Sequence, residues 1–366
     1  MSRWVCFVLI LAVSLARAQS GLTNEDGYLL ADEPRAWDFP RDFGRHDGFS
    51  IEWWYLTGNV AAEDGREFGF QITFFRSELT PRVGERPDAS GWRTDELYFA
   101  HAAISDLGGE TFWHDERSSR GHPRLASASD ETMDVRLLDW SLRLEGDTLV
   151  MRAGGGDHAI DLRARMTREP MLQGPGGLNS KGGDVGQASY YYSLTRLETS
   201  GTLTIGGEAV RVRGSAWMDQ EFSSNQLADN QRGWDWFCIQ LADGRDVMAY
   251  QLRTDDGSEA YRFASVRDPG GTVRYLSPEQ IAFRPGSAWR SPDTGAAYPQ
   301  SWTIEIEGLP GLNVRSRMVG QELTGGSASD IAYFEGATEI LDPEGRRIGV
   351  GYVEMTGYDR SIADEF

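Results

Sequence analysis

The chain has 366 residues and a formal net charge of −20, with 36 Lys and Arg against 56 Asp and Glu. Its 40% hydrophobic and 11% aromatic content is enough to bury a sizeable core, so wholesale disorder is excluded. No cluster of Lys or Arg offers the basic stripe that a phosphate backbone requires, so nucleic acid is not an expected partner.

Residues 1–18 read as a targeting segment rather than as part of the fold. Arg3 supplies a positive start, Trp4 to Leu15 an apolar run, and Ala16-Arg17-Ala18 a small-x-small cleavage site. Cleavage before Gln19 and export, to the periplasm or the medium, are expected. The run is too short to span a bilayer comfortably, and no later stretch reaches the required length. Cys6 leaves with this segment. Cys238 is then the sole cysteine, with no internal disulfide, and reads as a small buried hydrophobe between Phe237 and Ile239.

Beyond an N-terminal arm, 19–44, strand signals begin. The 43 glycines and the many short Thr, Val, Tyr and Trp runs favour β structure rich in turns. Residues 51–75 read as a hairpin about Asp64-Gly65. On its first strand Glu52 and Trp54 share one face, Trp53 and Tyr55 the other. A loop covers 80–91, and Trp140 to Leu144 alternates polar with apolar. Residues 173–188 form a loop with six glycines and Lys181, the only lysine beside 35 arginines. A lysine kept against that bias is either a chance survivor or the mark of a site needing a compact ammonium. Tyr190, Tyr191 and Tyr192 follow. In Trp217-Met218-Asp219-Gln220-Glu221-Phe222, the residues Trp217, Asp219 and Glu221 fall on one face of a strand. A polar stretch, 222–232, leads to Gly233-Trp234-Asp235-Trp236-Phe237. Only 276–283 hints at a helical period. Residues 285–299, with Pro285, Pro292 and Pro299, read as a loop, and Trp302 to Ile306 alternates again.

The chain also resembles itself. Ala103–Gly109 matches Ser265–Gly271, and Trp140–Gly146 matches Trp302–Gly308, both at an offset of 162. Weaker echoes join Leu162–Met166 to Val314–Met318, and Asp64–Glu67 to Asp243–Asp246. Two diverged copies of one β domain are expected, 45–222 and 223–366. Roughly ten strand signals in each copy suggest an all-β fold of closed antiparallel barrels or sandwiches. A barrel of this size holds side chains or one small apolar ligand.

Two carboxylates at i and i+2 beside a tryptophan are awkward on an apolar face. If Asp219 and Glu221 point inward, repulsion and desolvation raise one pKa and make a general acid; if outward, they form a solvated stripe. A hydrolase is the weaker expectation. There is no Gly-x-Ser-x-Gly elbow, and none of the five histidines (His46, His101, His114, His122, His158) has zinc spacing. Gly174-Pro175-Gly176-Gly177 lacks the Lys-Ser/Thr of a phosphate loop. No metal and no other cofactor are expected.

Five segments carry a family resemblance: Glu52–Gly58, Tyr191–Arg196, Gly214–Glu221, Gly233–Phe237 and Gly351–Tyr358. Together they resemble the bacterial carotenoid 1,2-hydratases (hydroxyneurosporene synthases) and the AttH-type secreted proteins. The resemblance implies two tandem lipocalin-like barrels. It also implies an exported protein that binds, and as an enzyme hydrates, a lipophilic isoprenoid-like or lipid ligand. Where the family commonly has a histidine between the two acids, this chain has Gln220. In the enzyme reading the catalytic residues are Asp219 as acid, Glu221 as water-positioning base and Tyr191, with Trp217, as cation-stabilising aromatics. Ligand-binding candidates are Glu52, Trp54, Lys181, Tyr190, Arg196, Trp217, Trp234 and Trp236. In the alternative, a non-catalytic carrier works with an ABC-type transporter, and the acid pair anchors Arg196 or another arginine across the barrel.

Overall fold

The computed structural model describes residues 21–81, 94–225, 227, 228, 230–256, 258, 260–326 and 331–362. The targeting segment 1–18 and residues 82–91 of the loop expected at 80–91 lie outside the described residues. The structure is nearly all β, folded into two nearly closed antiparallel barrels of lipocalin-like form. The first is built from β1 (Ile51–Ala62), β2 (Glu67–Glu78), β3 (Glu96–Asp106), β4 (Thr111–Arg120), β5 (Ala126–Ala128), β6 (Asp134–Leu137), β7 (Trp140–Glu145), β8 (Thr148–Gly155), β9 (His158–Met166), β10 (Met171–Leu172), β11 (Leu178–Ser180), β12 (Ala188–Ile205) and β13 (Glu208–Ser223). The second begins with β14 (Gln231–Leu241), β15 (Asp246–Thr254), β16 (Tyr261–Arg267), β17 (Val273–Leu276) and β18 (Ile281–Pro285). It continues through β19 (Ala288–Arg290), β20 (Ala297–Pro299), β21 (Ser301–Ile306), β22 (Leu312–Ser316), β23 (Glu322–Leu323), β24 (Tyr333–Leu341) and β25 (Arg347–Met355), with β19 and β20 pairing apart as a separate hairpin.

The two sheets share a strand order. The run β4-β3-β2-β1-β13-β12 in the first recurs as β17-β16-β15-β14-β25-β24 in the second. The turn echoes Asp64/Asp243 and Asp106/Asp268 fall at matching hairpins of these runs. The Trp140/Trp302 echo does not. β7 lies two strands from β9, whereas β21 pairs directly with β22, the strand that carries the echo of β9.

Alternation assigns the faces. Trp54, Leu56, Phe70, Ile72, Phe74, Tyr192, Leu194 and Met218 point into the first barrel, and Phe237, Ile239, Ala249, Val353 and Met355 into the second. Both interiors are packed with side chains, so the barrels themselves are cores rather than ligand cups. Three local expectations change, the first being that 173–188 is not all loop, since Leu178–Ser180 within it pairs with β12. The stretch 276–283 is a short 3-10 turn, Pro278–Gln280, between strands, because Pro278 at its start and a Ser277/Gln280 capping box confine it. The stretch 285–299 is not all loop, since Ala288–Arg290 pairs with Ala297–Pro299. Among the described residues no helix is long and apolar enough to cross a membrane.

The remaining face of each sheet packs on the other barrel, through Tyr55, Tyr191, Trp217, Trp236, Cys238, Tyr250 and Tyr352. A buried ionic clamp joins the barrels at one edge. Arg168 and Arg196 each reach Asp246 at 2.7 Å, and the Thr195 hydroxyl donates to it at 2.7 Å. The substitution Asp246→Ala removes their shared carboxylate and leaves Arg168 with Gly244 O and Arg196 with the carbonyls of Leu241 and Arg245. We expect a loss of about 3 kcal/mol in urea unfolding, the low end for a broken buried pair. Both arginines keep about a quarter of their side-chain surface in water.

Candidate functional site

A cleft opens between the barrels, and the strand registers determine what lines it. Across β12-β13-β1-β2, one row reads Ser193, Asp219, Tyr55, Thr73, and the next reads Tyr191, Glu221, Trp53, Phe75. On the facing sheet, β16-β15-β14-β25-β24, a row reads Phe263, Tyr250, Trp236, Glu354, Glu335. Side chains in such rows lie on one face, so a period of two on each strand delivers aromatics and carboxyl groups to the same gap. The empty space, open mouth included, comes to about 620 Å³.

Asp219 sits at the centre and is 2% exposed. Its Oδ1 accepts from Ser193 Oγ at 2.5 Å and from Trp217 Nε1 at 2.6 Å, and its Oδ2 accepts from the Tyr191 hydroxyl. Trp236, from the other barrel, donates through Nε1 to the Tyr191 oxygen at 3.0 Å. An indole can only donate, so Tyr191 is held with its own proton towards Asp219. Burial pushes the Asp219 carboxyl up to about 7. The three donors favour the charged form but do not outweigh desolvation.

Glu221, two residues on, is held differently. Lys181 Nζ lies 2.7 Å from its Oε1, and Ser189 donates to the same oxygen. The ammonium also sits 4.5 Å from the Tyr250 ring centre and 5.4 Å from that of Tyr191. The Lys181 loop is fixed from both sides: the backbone N–H of Lys181 donates to Gln187 O, and Gln231 Nε2 donates to Lys181 O. Gly186 in that loop adopts φ +81, a conformation that favours glycine. On the far wall Glu354 accepts from Trp234, and burial pushes its carboxyl up to about 8. Glu335 behind it lies well above the usual range for the same reason, and Tyr55 from the first barrel donates to it at 2.8 Å. Among the described residues no group of His, Cys, Asp and Glu has the arrangement of a metal site.

The AttH-like family description matches residues 30–358 of this chain. The chain belongs to the AttH-like family. The dehydratase asqC of Emericella nidulans is 24% identical to this AttH-like protein over 200 residues, 52% of this chain and 55% of that one. The match therefore spans little more than half of asqC. Kievitone hydratase of Fusarium solani subsp. phaseoli is 22% identical over 268 residues, 70% of this chain and 73% of that one. Among solved structures, an AttH protein of Nitrosomonas europaea superposes with a TM-score of 0.79 at 37% identity, covering 88% of this chain and 98% of its own. Kievitone hydratase from Nectria haematococca shares the fold at a TM-score of 0.66 and 17% identity, covering 83% of this chain and 88% of its own.

In this AttH-like protein the cleft brings together Asp219, Glu221, Tyr191, Lys181, Trp234 and Trp236. Trp217 sits beneath it as a donor to Asp219 rather than on its wall. Four other residues expected to bind ligand lie elsewhere. Trp54 is in the first barrel's core, and its indole donates to Phe43 O. Glu52 faces the same side, held by His46 at 2.8 Å and Gln220 at 2.8 Å. Tyr190 packs on Phe49 and Phe222, with its hydroxyl on Glu33 O. Arg196 does span the barrels, but to Asp246 and not to the acid pair. Gln220 also points into the first barrel, so the exchange of a family histidine at this position takes no side chain out of the cleft. His101 is buried against the Tyr333 hydroxyl at 2.6 Å, and burial brings it down to about 4. Burial raises the Cys238 thiol, which lies 3.7 Å from Thr57 Oγ1. Trp53, Tyr55, Phe75, Tyr250 and Glu354 line the cleft without having been singled out as ligand-binding residues. For the first two the signal was present as the opposite face of the Glu52–Tyr55 strand.

Proposed function

We propose that this protein hydrates, or in the reverse sense dehydrates, a carbon–carbon double bond of a lipophilic, isoprenoid-like ligand held between its barrels. The observation that carries this is Asp219: a carboxyl raised to about 7 inside an aromatic-walled cleft. Protonating an olefin carbon needs a positioned acid, a dry site and nearby electron-rich faces for the cation that forms. Asp219 supplies the proton, and Trp53, Trp234 and Trp236 supply the faces. Water then adds to the cation and loses a proton to a second group. Two relatives named as a dehydratase and a hydratase support the same reaction class. We also propose export, on the strength of the segment 1–18.

Incubating the purified protein with farnesol in heavy-oxygen water tests the activity. The expected product carries one added water containing the heavy oxygen, and none forms without protein. Solvent extraction of protein isolated from its own cells tests the carrier alternative, with an ABC-type transporter as partner. One unmodified lipid near equal stoichiometry, with no hydrated product from farnesol, would favour the carrier. Cell fractionation with N-terminal sequencing checks export, with Gln19 as the expected first residue.

A further inference from the structure

We infer that the working carboxyl pair of the cleft is Asp219 with Glu354, one from each barrel, and not the strand neighbours Asp219 and Glu221. The inference rests on the cleft being the site of proton chemistry. Asp219 and Glu354 both line the gap, from opposing sheets. Glu221 lines it too, but its charge is matched by Lys181 at 2.7 Å and its Oε1 is shared with Ser189. Among the described residues Glu354 has no ion-pair partner, and the Trp234 indole is its hydrogen-bond donor. Its neighbours are otherwise anionic or phenolic. Glu335 stands beside it on β24, Asp219 and Glu221 face it from β13, and Tyr55 and Tyr333 lie on the same side. The one ammonium among these groups, Lys181, is already engaged with Glu221. Burial and the facing carboxylates both oppose a second negative charge there. Under this inference the Asp219 carboxylate opposes ionisation of Glu354 across the gap, and the two titrate as a coupled pair.

The pairing completes the addition. The π electrons take the proton of one carboxyl, its O–H bond breaks, and that carboxyl is left as a carboxylate. A water oxygen bonds to the resulting carbocation and passes a proton to the other carboxylate. The sum is one water added. The pair ends with its proton on the opposite member, and exchange through solvent resets it.

The test uses the full chain and the variants Glu354→Gln, Glu221→Gln, Asp219→Asn and Glu335→Gln. Carboxyl infrared bands and tryptophan fluorescence are followed between pH 5 and 10, and thermal melts check folding. In the unsubstituted protein Asp219 and Glu354 are expected to titrate between about pH 6 and 9, and the separate band of the raised neighbour Glu335 is assigned by its loss in Glu335→Gln. Glu354→Gln and Asp219→Asn should each leave one, shifted down by about one unit, whereas Glu221→Gln should leave two. If Glu354→Gln keeps both titrations, or leaves that of Asp219 where it was, the pairing is wrong. On farnesol, Glu354→Gln should lower turnover at least ~100-fold, and Glu221→Gln by less. Coupled titration without turnover by any form would remove the hydration reading and leave the pair. Turnover lost in Glu221→Gln but kept in Glu354→Gln would overturn the pair alone.

Discussion

Asp219→Asn is expected to lower farnesol hydration by about 100- to 10,000-fold, the range for removing a general acid or base. The fold should survive the change. Asn keeps one oxygen to accept from Ser193 and Trp217, and its amide can donate to the Tyr191 oxygen once that hydroxyl turns. The pH dependence gives a second check. The Asp219 carboxyl is raised to about 7, so its acid form is full well below that pH and is lost as pH rises through it. Turnover should therefore fall on the alkaline side of neutrality. Stability follows the same direction. Between about pH 4 and 7 the folded chain binds a proton here that the unfolded chain has released, so unfolding free energy falls as pH rises. Asn has no proton to lose. The variant should give a flatter stability profile in urea titrations from pH 4 to 8, while the unsubstituted protein loses stability across the same span. Full turnover in Asp219→Asn would end the proposed role. A flat profile in the unsubstituted chain would mean that the carboxyl is ionised throughout.

Much of this site was legible because strands sort residues by parity. Trp217, Asp219 and Glu221 share a face in the sequence, and they share one in the structure. Parity does not say which face meets which partner. The sequence offers two choices for an inward strand face, barrel interior or solvent, and the fold provides a third: the flank of a second barrel. That is why Glu52 and Trp54 looked like site residues while Trp53 and Tyr55 are on the wall. Burial strength cannot separate them either, since Trp54 and Tyr55 are both buried, in different clusters. Glu354 was harder still. It stands in a β25 segment whose side chains gain meaning only when Trp236 and Glu335 flank it in register. Lys181 could be noticed by its rarity, but its partner Glu221 lies 40 positions away. Only the hairpin of β11 with β12 brings that loop back to the cleft.

The two adjacent tryptophans of β1 should separate stability from binding. Trp54 has no exposed surface, packs in the first barrel's core and donates to Phe43 O at 3.2 Å. Trp54→Ala removes a large buried ring and leaves a cavity, so a loss of about 3–5 kcal/mol in urea unfolding is expected. Trp53 is only partly buried, opposes Glu221 in register and meets Phe75 at a ring distance of 6.4 Å on the cleft wall. Trp53→Ala should cost about 1 kcal/mol of stability, the usual size for a partly exposed site. It should weaken farnesol binding roughly tenfold, the equivalent of about 1.4 kcal/mol. Fluorescence quenching by farnesol, measured at a denaturant-free pH where both variants are folded, reads the second effect. The opposite ordering is the informative failure. If Trp54→Ala loses the ligand at full stability while Trp53→Ala unfolds, β1 presents its other face to the second barrel. The same parity would then turn Asp219 and Glu221 away from the cleft, because their register with Tyr55 and Trp53 ties all four to one side.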